Sequence, residues 1–300
     1  MKKILLGTSG MKVSEIGFGC MSLPTDVNEA ELIVNTAISQ GINYFDTADL
    51  YDKGANEEVV GKALQQHRKE VVLATKVGNE WNPETDKIQW NPSKTYIKKQ
   101  IHASLKRLQT DYIDLYQLHG GTIDDNAEET IEAFDDLKKE GLIRAYGISS
   151  IRPNVINRFL KNSDISSIMM QYSLLDRRPE EWLDSIHQAE KSVVTRGSLA
   201  KGLLTGEGLE RAENMDGYLT YDALELKTTL QKLMSVHDNL HALALQSVLQ
   251  HQTISSIVVG ASSAEQIKST IDAYETPVST EQINEAKTIT RQAAYQEHRK

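Results

Sequence analysis

The amino-acid sequence predicts an α/β fold, a single-domain (β/α)8 barrel that spans residues 1–300. Eight short apolar segments alternate with amphipathic helical patterns, and 300 residues is a typical length for one such barrel. No segment rich in Pro, Gly or Ser divides the chain. A doubly wound sheet is the competing architecture, but "GFGCMS" lacks the third glycine of the GxGxxG motif expected after its first strand.

The eight predicted strands are short and rich in aliphatic and aromatic residues, as buried strands are. They are residues 14–20, 43–48, 70–77, 113–119, 144–150, 166–173, 192–197 and 254–260. Two of the intervening helical patterns end at Gly41 and Gly141, a residue type that often follows a helix. The helix after the second strand is predicted to begin with Asn56 at its cap.

Three further segments extend the barrel. The leading "KKILLGTSGMKV" has a Gly-centred turn and predicts an N-terminal β-hairpin that closes the barrel floor. Residues 203–235 form an unusually long connection, and long loops in compact domains are usually functional or mobile. The tail predicts an extra C-terminal helix outside the barrel, with a capping box from Ser279 to Gln282.

The composition predicts a soluble cytoplasmic protein. The first apolar run stops at Gly7, and no stretch approaches the ~20 apolar residues that span a bilayer. Cys20 is the only cysteine, which excludes an intramolecular disulfide and a cysteine-rich zinc site and fits a reducing compartment. The formal charge of −9, without a Lys/Arg-rich run, argues against a nucleic-acid surface.

Polar residues follow several predicted strands at the end where barrel active sites lie. Asp46 ends the second strand and Tyr51 comes five residues later, Lys76 lies in "LATKVG" at the end of the third, and His119 lies in "YQLHGG" at the end of the fourth. Each alone is explained as a cap, a packing residue or a solvated strand end. Four of them on neighbouring strands are better explained as one site, because buried charges need partners.

These four residues together predict a proton donor. A free tyrosine hydroxyl, with a pKa of about 10, is a weak acid at neutral pH. A Lys76 ammonium beside Tyr51 would favour the phenolate, and Asp46 would keep that lysine charged and oriented. His119 would hydrogen-bond the substrate oxygen or assist the proton transfer.

Longer motifs in the chain resemble those of the aldo-keto reductase family. They are "GINYFDTADLYDKGANEEVVGKAL", "LATKVG", "YIDLYQLH" and "LKKEGLIRAYGISS", and the resemblance continues through "GSLAKGLLTG" and "VVGASSAEQI". It implies a barrel that reduces aldehyde or ketone carbonyls to alcohols with NADPH and without a metal. It also implies a catalytic tetrad of Asp46, Tyr51, Lys76 and His119, with Tyr51 as the general acid.

The resemblance also implies residues that bind NADPH. "VVGASSAEQIKS" passes from a strand into a helix, a form that often holds phosphate, although Ser263 to Gln266 also match a capping box. Gly260, Ser262, Ser263 and Gln266 match the segment at the adenosine end, and Ser198, Leu199 and Lys201 match the pyrophosphate loop. At the nicotinamide end we expect Ser149, Gln171 and Arg196.

The sequence departs from the family pattern at three places near the cofactor. Ser150 follows Ser149 where the family usually has Asn, and Met169 stands where Gln is usual, with Gln171 two residues later. Ser263 stands where several relatives have Lys or Arg. We therefore expect NADPH to be preferred over NADH, but less strongly than in relatives with the basic residues.

The substrate is expected to contact Met21, Tyr51, Trp81 and His119. Trp81 and Trp90 lie in the polar loop after the third strand, where they could instead simply cover the barrel mouth.

Two other functions stay open. One is a cofactor-sensing accessory or binding subunit with the same barrel. The other is an isomerase or aldolase that uses Lys76 as a Schiff base, which leaves the nucleotide loop unexplained.

Overall fold

The computed structural model describes residues 1–299 and confirms the predicted barrel. Eight parallel strands close on themselves, each hydrogen-bonded to the next in chain order, with the last strand paired to the first. The barrel strands are β3 (Ile16–Gly19), β4 (Tyr44–Asp46), β5 (Val72–Val77), β8 (Ile113–Leu118), β9 (Ile143–Ser149), β10 (Ser167–Gln171), β11 (Ser192–Arg196) and β14 (Ile254–Gly260).

Helices surround the barrel and connect its strands. They are α1 (Val27–Ser39), α2 (Ala55–Leu64), α3 (Lys94–Leu108), α4 (Ala127–Lys139), α5 (Pro153–Asn162), α6 (Glu180–Gln188), α7 (Gly208–Glu213), α8 (Ala223–Val236), α9 (Leu240–Leu249), α10 (Ala264–Glu275) and α11 (Thr280–Ile289). Gly41 and Gly141 follow α1 and α4 with φ of +90° and +78°, as predicted. In residues 1–299, every helix is too short or too polar to cross a membrane.

Three hairpins lie outside the barrel sheet. The predicted N-terminal hairpin is β1 (Lys3–Leu5) and β2 (Lys12–Ser14), and Leu6, just after β1, and Val13, on β2, pack into the barrel interior. The hairpin of β6 (Asn79–Asn82) and β7 (Lys87–Trp90) was not predicted. The third, β12 (Gly217–Tyr218) and β13 (Tyr221–Asp222), lies between α7 and α8, so the long connection consists largely of regular structure.

The alternation of side chains along the strands aims the candidate residues into the barrel. On β5, Val72 and Ala74 belong to the interior cluster, whereas Leu73 packs in the layer beneath the helices. Because side chains on a strand alternate, Lys76 also faces inward, at the C-terminal end of β5. The same alternation on β4 turns Asp46 inward, where it pairs in register with Ala74.

Two of the predicted helix caps differ in the structure. α2 begins at Ala55 after Gly54, whose φ of +96° turns the chain into the helix, so Asn56 is not the cap. Asn56 is buried inside α2, where its side chain accepts from the Thr47 hydroxyl at 2.7 Å and donates to the Cys20 carbonyl at 2.8 Å. These bonds tie the end of β3 to the end of β4.

The capping box at Ser279 and Gln282 is confirmed, with both reciprocal hydrogen bonds present. The box predicted from Ser263 to Gln266 is only half formed. Ser263 Oγ accepts from the backbone N–H of Gln266 at 3.3 Å. The Gln266 side chain accepts at 2.8 Å from the N–H of Ser262 rather than that of Ser263, because it reaches one residue further back.

Candidate active site

Asp46, Tyr51, Lys76 and His119 meet at the C-terminal end of the barrel and line one cavity of about 1130 Å³. Lys76 Nζ lies 2.5 Å from Asp46 Oδ1 and 3.4 Å from the Tyr51 hydroxyl. The rings of Tyr51 and His119 stand edge to face, with their centroids 6.0 Å apart. The four side chains named from the sequence therefore form one constellation.

The Asp46–Lys76 ion pair is buried, since the side chains are 5% and 1% exposed. Lys76 also donates to the Thr47 carbonyl at 2.8 Å, and Asp46 Oδ2 accepts from Gln117 at 3.2 Å. Burial by itself lowers the pKa of Lys76, but the neighbouring Asp46 and Tyr51 outweigh it and raise that pKa. Lys76 is therefore held as an ammonium against the tyrosine hydroxyl.

His119 is neutral in this environment. Burial, together with the nearby Lys76 and Arg196 charges, lowers the pKa of His119 to about 3. Its Nδ1 is buried without a hydrogen-bond partner within residues 1–299. A buried N–H without an acceptor is costly, so we place the ring proton on Nε2.

The loop that carries Tyr51 is held by its own backbone and by the β6–β7 hairpin. Its backbone bends through Asp52 and Lys53, which have φ of +47° and +56°. The Tyr51 N–H donates to the Ala48 carbonyl at 3.2 Å. At the side, Lys53 Nζ lies 2.5 Å from Asp86 Oδ1, which also accepts from Trp81. These contacts fix the tyrosine loop to the β6–β7 hairpin.

A second cleft of about 1110 Å³ adjoins the first. Met21, Gly197, Lys201 and Gly260 line both, so the two form one elongated groove. The residues expected at the cofactor that line the second cleft are Ser198, Leu199, Lys201, Gly260 and Gln266. Arg211, on α7, is a further cation there, and its guanidinium packs against Gly202. A long groove with cations along its length fits a dinucleotide with its phosphates.

The residues expected at the nicotinamide line the first cavity, namely Ser149, Gln171 and Arg196. Gln171 is engaged on both sides, since its Oε1 accepts from Arg196 at 3.1 Å and its Nε2 donates to Asp176 at 2.8 Å. Ser262 and Ser263, by contrast, are not among the residues that line either cleft. Their contacts are with Gln266 at the start of α10.

The substrate side of the cavity differs from the expectation at one tryptophan. Met21 lines the cavity, but Trp90 does so in place of Trp81. Trp81 lies on the hairpin, where it bonds Asp86 at 2.9 Å and stacks under Lys53. Trp90 is held by a 2.9 Å bond from its Nε1 to Asp125.

Sequence reasoning missed several cavity residues, all of them in connections. They are Asn79, Thr122, Arg152, Met215, Tyr218 and Leu219. The signal available was position alone: Arg152 comes just after β9, and Tyr218 lies in the long connection after β11. No cluster of His, Cys, Asp or Glu suited to a metal ion occurs among the described residues, 1–299.

An eight-stranded barrel with a buried Asp–Lys pair against a tyrosine, at one end of a dinucleotide-sized groove, defines a barrel oxidoreductase. The model of the Aldo/keto reductase family matches residues 15–291. The chain belongs to that family.

Its similarity to individual relatives covers the whole chain. The holo form of aldo-keto reductase AKR11C1 from Bacillus halodurans has a TM-score of 0.95 at 53% identity, over 100% of both chains. The "Uncharacterized oxidoreductase YqkF" of Bacillus subtilis is 51% identical over 100% of both chains.

Two more distant relatives are named for different cofactors. "Aldo-keto reductase yakc [NADP(+)]" of Schizosaccharomyces pombe is 33% identical over 75% of this chain and 73% of its own. The "NADH-specific methylglyoxal reductase" of Escherichia coli is 31% identical over 91% of this chain and 93% of its own. Relatives of this chain are therefore named for either nicotinamide cofactor, and membership of the family does not by itself decide between NADPH and NADH.

Proposed function

We propose that this protein reduces aldehyde or ketone carbonyls to alcohols with NADPH, using Tyr51 as the general acid. The observation that carries the proposal is the contact of the Tyr51 hydroxyl, at 3.4 Å, with the buried ammonium of Lys76. Both lie in a cavity that continues into the dinucleotide-sized groove.

Each member of the tetrad has a separate task. NADPH, when bound, would supply the hydride that reduces the carbonyl carbon. Tyr51 gives its proton to the carbonyl oxygen, and Lys76 stabilises the phenolate that remains. Asp46 holds Lys76 charged and in place through the 2.5 Å contact. Neutral His119 donates a hydrogen bond from Nε2 to the same oxygen, which orients the carbonyl beneath Tyr51.

A Tyr51→Phe variant tests this assignment. We expect turnover of an aldehyde to fall by roughly 10²–10⁴-fold, the usual contribution of a general acid. NADPH affinity, measured by fluorescence titration, should stay within about threefold because the hydroxyl is not needed to hold the cofactor. Tyr112→Phe is the matched control, since Tyr112 stacks between Arg68 and Arg144 away from the cavity. A Tyr51→Phe variant that keeps most of its activity would contradict the assignment.

The preference for NADPH is supported by the cations of the second cleft. Arg211 lines it, whereas Ser263 does not, so Arg211 is the better candidate for the 2′-phosphate. Arg211 is half exposed and pairs with Glu207, and both features limit how much it can strengthen binding of the 2′-phosphate. We expect Arg211→Gln to weaken binding of 2′,5′-ADP by about three- to tenfold and to leave 5′-ADP unchanged, by calorimetry. Lys232→Gln, on the exposed face of α8, is the control.

We also propose that the protein acts in the cytoplasm. Its one cysteine, Cys20, is free and buried, which fits a reducing compartment.

A further inference from the structure

The first cavity contains a cation that the proposed reaction does not use. Arg152 lies between β9 and α5 and lines this cavity together with Tyr51 and His119. Its Nη1 donates to the carbonyl oxygen of Gly121, two residues after His119. The guanidinium is therefore anchored to the loop that follows the catalytic histidine.

Arg152 has no acidic partner within residues 1–299, and its side chain makes no hydrogen bond there other than the one to Gly121. Of the two carboxylates in the adjoining loop, Asp124 is exposed and unpaired with Arg152, and Asp125 is already engaged by Trp90 Nε1 at 2.9 Å and by Thr122. Since a guanidinium carries five N–H donors, most of those on Arg152 are left for the cavity.

The other cations of the cavity have partners or lie toward the cofactor. Lys76 is paired with Asp46, and Arg196 donates to Gln171. Lys201 lines both clefts, at the junction where the pyrophosphate is expected. Arg152 lines the first cavity but not the second, and it is bonded to Gly121 in the loop after β8. The cofactor phosphates therefore do not account for it.

The charge of the whole cavity agrees with an anionic ligand. Four cations and one carboxylate line it, in a protein whose formal net charge is −9. A positive cavity on an acidic protein attracts anions specifically to this place. The planar fork of a guanidinium matches the two oxygens of a carboxylate or phosphate.

We propose that Arg152 binds an anionic group carried by the substrate, so that the preferred substrates are aldehydes or ketones bearing a carboxylate or a phosphate. The inference rests on the proposed function, because Tyr51 and His119 decide where the carbonyl lies. It goes further in assigning the substrate class, which the tetrad leaves open.

Matched pairs of aldehydes test the proposal with NADPH as cofactor. One pair is 4-carboxybenzaldehyde and its methyl ester, and the other is glyceraldehyde 3-phosphate and glyceraldehyde. In the wild type we expect kcat/KM to be at least about tenfold higher for the anionic member than for the neutral member of one pair or both. The pair that shows this preference tells whether the site binds a carboxylate or a phosphate. Arg152→Gln should remove that preference and change the neutral members by less than about threefold.

Arg158→Gln is the control, because Arg158 binds the same loop through the carbonyls of Ile123 and Asp125 but does not line the cavity. It should keep the preference for anions. Equal rates for both members of each pair, or an equal loss in Arg158→Gln and Arg152→Gln, would overturn the proposal.

A binding measurement separates this inference from the proposed function. If the wild type reduces no aldehyde, the proposed function fails, but binding of 4-carboxybenzaldehyde can still be measured by calorimetry. Binding that weakens about tenfold or more in Arg152→Gln supports the anion site. Equal binding by the two proteins contradicts it.

Discussion

Among single residues, Lys76 shows how the surroundings of a buried side chain determine its charge. Its side chain is 1% exposed, where an unpaired ammonium would be strongly disfavoured. Three oxygen neighbours, from Asp46, Thr47 and Tyr51, surround its Nζ. The same partners that make burial of the charge possible also place it 3.4 Å from the Tyr51 hydroxyl.

We expect the His119 ring to stay neutral from pH 8 down to about pH 4, because its pKa is lowered to about 3 by burial and by the Lys76 and Arg196 charges. The ¹⁵N chemical shifts of histidine-labelled protein at pH 5 should show one protonated and one unprotonated ring nitrogen. A His119→Gln variant assigns the signal. Shifts of a doubly protonated ring at pH 5 would contradict this electrostatic description of the site.

At the scale of elements, close helix packing positions the tyrosine loop. Gly61 of α2 lies against the backbone where α3 ends, and a Cβ there would approach the Arg107 carbonyl oxygen to 2.6 Å. Arg107 in turn reaches back to Glu57 of α2, with Nε at 2.7 Å from Oε2. α2 follows directly on the loop of Tyr51, so this contact supports the site from outside the barrel.

We expect Gly61→Ala to destabilise the protein by about 1–3 kcal/mol, the usual cost of overpacking, because the contact is with backbone that cannot rotate away. The sign of this change in stability is informative, since Gly→Ala inside an unobstructed helix normally stabilises a protein by about 0.5–1 kcal/mol. Urea unfolding followed by circular dichroism measures the change. Gly206→Ala, where nothing lies within 4 Å of an added Cβ, should be close to neutral. A Gly61→Ala protein as stable as the wild type would show that α2 and α3 can move apart freely.

For the whole molecule, folding also encloses ionisable groups outside the first cavity. Asp49 is 6% exposed, and its Oδ1 has no partner in residues 1–299. Gln100 donates to its Oδ2 at 3.1 Å, and the charges nearby are Glu57 and Arg107. Burial, with the Glu57 charge, raises the pKa of Asp49 to about 7. The protein therefore contains a buried carboxyl group that stays mostly protonated below about pH 7.

The free energy of unfolding should depend on pH through Asp49. Between its ordinary pKa near 3.8 and about 7, the folded state binds the proton and the unfolded state does not, so stability falls as pH rises through this range. We expect Asp49→Asn to lose less stability than the wild type between pH 4.5 and pH 8, by urea unfolding at both values. Asp52→Asn, on the exposed surface, should follow the wild type. Equal pH dependence in Asp49→Asn and wild type would contradict an ionisable, buried Asp49.

The sequence by itself determined the order of strands and helices. Each element has its own spacing of apolar residues, and that spacing is a local pattern that can be read without knowing the rest of the fold. It also predicted that Asp46, Lys76 and His119 would meet beside Tyr51, because the C-terminal ends of neighbouring parallel strands lie together once the barrel closes. Caps were partly predictable. Ser279 behaves as its motif requires, whereas Asn56 bonds partners far along the chain and so escapes a local rule.

The tertiary structure alone decided which loop residues reach the cavity. Trp81 and Trp90 lie in one polar loop, and only pairing of β6 with β7 turns Trp90 toward the cavity and Trp81 toward Lys53. No local pattern in the sequence distinguishes Arg152 and Arg211 from other arginines, and only the fold places Arg152 in the first cavity and Arg211 in the second cleft. Charge and burial are set by neighbours distant in the chain, so no local pattern encodes them.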